Sequence, residues 1–237
     1  MHAHPRLIII DVTRGLAVSL MLIYHGCYDI HYLNWVHFDF YHHPFWLTFR
    51  TLIVSLFVIL SGISLHLATA GGLQWPKFFK RLFILTSCAL LISWVSWLLF
   101  QERFIFFGIL HFMALASVVG LVFIHRFWWN LWLGIGFILL GTLFAHPWFN
   151  QPYWQWLGLM THKPQTEDYV PLLPWLGVLL LGLFLGRYGA QQSYFHQNTH
   201  LIAEKPLAWL GRHSLGIYML HQPLLLGSLW TITLVIG

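Results

Sequence analysis

Ionisable groups are scarce in this chain: Asp and Glu number seven and Lys and Arg twelve among 237 residues, so charged side chains make up only 8%. That is far too little polar surface to enclose a water-soluble core of this size, which excludes an ordinary soluble domain. Cysteine is nearly missing. Cys27 and Cys88 lie in or at the end of apolar stretches and form neither a disulfide framework nor a metal–thiolate spacing, so both read as packing residues. The cations build no basic tract suited to nucleic acid, which leaves nucleic acid out of the expected partners. No internal repeat and no low-complexity segment is found.

Apolar residues are abundant, at 58% of the chain with 18% aromatic. Runs of about 20 of them, the length a helix needs to cross the hydrocarbon, recur from end to end. We therefore expect an all-α integral membrane protein, a polytopic helical bundle forming a single domain over residues 1–237 and embedded in the lipid bilayer. Spans are expected at about 7–30, 46–69, 80–100, 104–125, 128–146, 170–189 and 207–235, seven in all. Met1 to Arg6 is short and basic, but no small-residue cleavage site follows before Tyr24, so the first span is expected to act as its own insertion signal.

Lys and Arg set the orientation. With the N-terminus cytoplasmic, Arg6, Lys77, Lys80, Arg81, Arg126, Arg187, Lys205 and Arg212 lie at that face with Arg14 just inside it, and only Arg50, Arg103 and Lys163 fall on the far side. Nine against three is a positive-inside pattern. The C-terminus then faces outward, as do two longer loops, 30–45 and 147–169. Trp128, Trp129, Trp148, Trp154 and Trp156 fall at span ends, where indoles favour the headgroup layer.

Against this apolar background Arg14 and His25 stand out in the first span. A charged group there costs roughly 2.5–3.5 kcal/mol on insertion scales, so its retention points to a pathway or a reaction. Eleven residues of helix rise ~16 Å and return to nearly the same face, so one helix can link a cationic site near one membrane surface to an imidazole near the other. Asp29, one turn beyond His25, is placed to accept its ring proton and fix the tautomer of a general base. The plain alternative is an interfacial His and Asp bonded to water and loops. Arg14 is three residues from Asp11 and can pair with it, or it can hold an anion together with Lys77, Lys80 and Arg81. Those three can equally be topology signals.

The small residues of FVILSGIS, Ser61 among them, allow backbones or a slender ligand to approach closely. His111 in GILH and His221 in YMLHQP either line a cavity or are satisfied core histidines. Arg50, Ser61, His111 and His221 are the candidates for holding a substrate. His31, His37, Asp39, His42 and His43 cluster in the first outer loop without any established ligand spacing, and no metal is expected.

The runs DVTRGLAVSLMLIYH, FVILSGISL, KFFKRLFIL and LGRHSLGIYMLHQP together resemble the membrane acyltransferases of the acyltransferase-3 type. They look most like the small bacterial branch of the heparan-alpha-glucosaminide N-acetyltransferase catalytic-domain family, over about residues 6–225. The resemblance implies transfer of an acetyl or similar acyl group from cytoplasmic acyl-CoA, as co-substrate, to an extracytoplasmic acceptor, a glycan or small molecule with an amine or hydroxyl. It implies residence in the bacterial inner membrane. Carried over by position, Arg14 and His25 match the family's Arg-x10-His pair, and Lys77, Lys80 and Arg81 its basic inner motif. Lysosomal members have Asn at the position of His25 and a catalytic His in the following outer loop, near His42 or His43, so His43 stands beside His25 as a candidate base. Direct attack and an acetyl-imidazole intermediate are both open routes. A non-enzymatic alternative is a transporter of a small anion or a haem-binding membrane protein with paired histidines. A homo-oligomer is compatible with this composition.

Overall fold

The apolar runs fold as helices in the computed structural model, which describes residues 7–191 and 204–236. Among the described residues there is no strand. The helices are α1 (Ile8–Tyr32), α2 (Pro44–Thr69), α3 (Trp75–Phe100), α4 (Ile109–Phe123), α5 (Phe127–Leu143), α6 (Leu172–Gln191), α7 (Glu204–Arg212) and α8 (Ser214–Ile236). Among the described residues, four stretches are long and apolar enough to span a membrane: α1, α2, α3 with the 3-10 turn that follows it, and α6, whereas α4 and α5 are apolar but shorter. Phe83, Val122 and Leu99 are 73%, 72% and 69% exposed, a surface that suits lipid tails and not water.

Chain contacts divide the molecule into two compact units, one within Met1–Phe57 and Ser193–Gly237, the other within Val58–Gln192. In the first unit α7 lies directly on α1. A Cβ on Gly15 would collide with the backbone carbonyl of Leu207, and one on Gly211 with that of Asp11, so glycine is the only residue that permits this approach. In the second unit Gly62 and Gly182 do the same for α2 and α6. That is the backbone approach expected from the small residues around Ser61.

Three helix boundaries differ from expectation. The stretch 207–235, expected as one span, is two helices meeting at His213, whose ring N–H donates to the carbonyl of Trp209 at 2.9 Å. The fourth span, expected from 104, begins at Ile109. Residues 104–108 are held out of the helix by α3: Ser96 Oγ accepts from the Ile105 N–H at 2.9 Å, and Ser93 Oγ donates to the Ile105 carbonyl at 2.5 Å. Pro76 in the first turn starts α3 earlier than expected, and Lys77 is helical as a result.

The loop between α1 and α2 folds back onto its own unit. Phe40 is 1% exposed, with its ring centroid 5.5 Å from that of Tyr24 on α1 and 4.4 Å from that of Trp46 on α2. This aromatic plug covers the end of α1 that carries His25 and Asp29.

Candidate functional site

Within the first unit α1 and α8 bring together two histidines that lie 196 positions apart in sequence. The rings of His25 and His221 have centroids 4.7 Å apart at 75°, an edge-to-face pair. The Nδ1 of His25 lies 2.9 Å from the Met21 carbonyl, and the Nδ1 of His221 lies 2.6 Å from the Tyr218 carbonyl. A carbonyl oxygen can only accept, so each ring carries its proton on Nδ1 and each neutral imidazole keeps its lone pair on Nε2. His25 thereby has the tautomer a general base needs, set by its own helix.

Asp29 does not serve as the expected partner. Side chains on a helix lean toward its N-terminus, so His25 leans away from Asp29 and reaches Met21, one turn earlier. The Asp29 carboxylate, only 1% exposed, instead accepts at Oδ1 from Gln222 Nε2 at 2.6 Å. Its second oxygen is buried and has no hydrogen-bond partner among the described residues, as is true of Gln222 Oε1. Gln222 was not singled out in sequence. Its one signal is its place in YMLHQP, between His221 and a helix-interior proline.

Arg14 sits three turns before His25 on α1, with Nη1 3.6 Å from Asp11 Oδ1. Asp11 is 5% exposed, so this pair offsets part of its burial cost. Arg50 on α2 interacts with the hydroxyl of Tyr24, next to His25.

His43 is exposed and its Nδ1 accepts from the Phe45 N–H at 3.2 Å, capping the start of α2. In the neutral ring that bond leaves the proton on Nε2. His42 pairs with Asp39 at 3.1 Å. Desolvation works against it, but the His42 backbone and ring and the Tyr41 N–H together outweigh that and hold the Asp39 carboxyl below its usual range.

In the second unit both ring nitrogens of His111 are engaged. Nδ1 accepts from the Gly108 N–H at 3.2 Å, so Nε2 is protonated and donates to Ser93 Oγ at 3.0 Å. Asp168 Oδ2 takes the next N–H, that of Ile109, at 2.8 Å. These bonds fix the start of α4 and leave His111 no free donor for a reacting group. Ser61 is half-buried on α2 beside Gly62. Lys77, Lys80 and Arg81 are exposed along the first turns of α3, three cations free to meet a polyanion or lipid headgroups. No group of three metal-ligating side chains occurs among the described residues.

A family model described as heparan-alpha-glucosaminide N-acetyltransferase, catalytic, matches residues 6–223. No curated protein and no solved structure matches the chain.

Proposed function

This chain belongs to the heparan-alpha-glucosaminide N-acetyltransferase catalytic-domain family, a family of membrane acetyltransferases, and from that premise we propose that it moves an acetyl group from cytoplasmic acetyl-CoA to an amine or hydroxyl on the other side of the membrane. In this reading the chain makes seven crossings of a bacterial inner membrane with its N-terminus inside, as the distribution of Lys and Arg supports. The observation that carries the reading is the tautomer of His25. Its Nε2 lone pair is available because Nδ1–H is committed to Met21.

The acceptor's N–H or O–H gives its proton to His25 Nε2 as the nitrogen or oxygen attacks the thioester carbonyl. The tetrahedral intermediate then collapses, the C–S bond breaks, and the CoA thiolate leaves with the proton returned by the imidazolium. Products are the acetylated acceptor and CoA with a free thiol. His221, whose neutral ring offers only a lone pair at Nε2, stabilises an oxyanion once it is protonated. For the CoA phosphates, Arg14 is the candidate in the first unit, and the Lys77, Lys80 and Arg81 run is a separate candidate in the second. Acetyl-CoA is a substrate here, and no metal is invoked.

Purified protein given acetyl-CoA should release CoA thiol faster when an amino sugar or polyol acceptor is added, read with a thiol reagent and confirmed by mass of the acetylated product. Acceptor-independent silence, with no binding of acetyl-CoA, overturns the proposal.

A further inference from the structure

The acetyl-transfer reading assigns no role to Gln222, yet this side chain holds the most deeply buried carboxylate of the first unit. Gln222 Nε2 donates to Asp29 Oδ1 at 2.6 Å, and Asp29 is 1% exposed. Each group then keeps one buried oxygen, Asp29 Oδ2 and Gln222 Oε1, with no hydrogen-bond partner among the described residues. A buried polar atom left without a partner carries a desolvation cost that folding normally avoids. Both orphaned atoms are acceptors. What completes them is a donor, such as a hydroxyl or amino group, whereas a phosphate or carboxylate adds only further acceptors beside a carboxylate. His25, on the same helix face one turn before Asp29, and His221, the residue preceding Gln222, place this pair next to the two edge-to-face imidazoles.

Resting on the acetyl-transfer reading, the geometry points to Gln222 as an acceptor-binding residue. Its amide N–H fixes the Asp29 carboxylate, and Gln222 Oε1 with Asp29 Oδ2 takes donor hydrogens of the incoming molecule, leaving the reacting N–H or O–H for His25 Nε2. Asp29 thus holds the acceptor and does not tune the base. Specificity follows from the same pair, because an acceptor lacking a second donor next to its reacting group leaves the orphaned oxygens unpaired.

The test is a kinetic split in the purified full-length protein, with acetyl-CoA as donor and glucosamine and glucose as acceptor probes. Gln222→Met, close in shape but without the amide, should raise the KM for the acceptor by about tenfold while the KM for acetyl-CoA stays within about twofold, as expected for the loss of one hydrogen bond to substrate. If Gln222→Met does not purify as a folded protein, Gln222→Asn keeps an amide on a shorter stem and should give a smaller rise in the same parameter. Unchanged acceptor KM, or equal shifts in both KM values, overturns the assignment of Gln222 alone. Wild-type protein that acetylates neither probe overturns the transfer reading, and the role of Gln222 falls with it.

Discussion

His25→Ala is expected to lower the rate of acetyl transfer by about 10²- to 10⁴-fold, the usual contribution of a positioned general base, while acetyl-CoA still binds. The size follows from the lone pair on Nε2, which no other group on α1 supplies at that level. Alanine removes it without placing a charge or an oversized group in the aromatic surroundings of Tyr24 and His221, whose rings lie 5.6 and 4.7 Å from that of His25. Steady-state rates, together with equilibrium binding of radiolabelled acetyl-CoA, separate chemistry from binding. Should His43→Ala abolish turnover and His25→Ala leave it intact, the base is the loop histidine and the assignment made from the tautomers is wrong.

Arg14→Ala should act at the opposite end of the same helix and on the other kinetic parameter. Charge-assisted hydrogen bonds contribute about 1.5–3 kcal/mol, so losing a guanidinium contact to a CoA phosphate should raise the KM for acetyl-CoA by roughly 10- to 100-fold, with a much smaller fall in kcat. The pair with Asp11 complicates the single variant, because Asp11 is 5% exposed and would lose the Arg14 guanidinium. The double variant Asp11→Asn/Arg14→Ala resolves this. It should recover the thermal stability lost in Arg14→Ala and leave the high KM in place. Recovery of both would reduce Arg14 to the structural partner of Asp11.

The helices were legible because a bilayer demands long apolar stretches, and those are visible without any tertiary information. Their ends were less so. The late start of α4 depends on Ser93 and Ser96 reaching from α3 to Ile105, contacts that leave no periodic trace. The site was half legible. His25 and His221 each stood out as ionisable groups within apolar segments, but helix periodicity says nothing of two residues meeting from opposite ends of the chain. The expected bond from His25 to Asp29 followed from i,i+4 spacing, which ignores the direction in which helical side chains lean. That lean gave His25 to Met21 and left Asp29 to Gln222. His111 looked like a cavity residue for the same reason that it caps α4, since a polar side chain beside a glycine at a helix start serves either use.

The central claim is that α1 joins a nucleotide thioester on one side of the membrane to an acceptor on the other. The most direct test is sidedness in sealed vesicles holding the reconstituted protein in one orientation. With acetyl-CoA confined to the side of the N-terminus and glucosamine to the opposite side, acetylated sugar should accumulate on the glucosamine side. Product formed only when both substrates share a compartment would contradict transfer across the membrane.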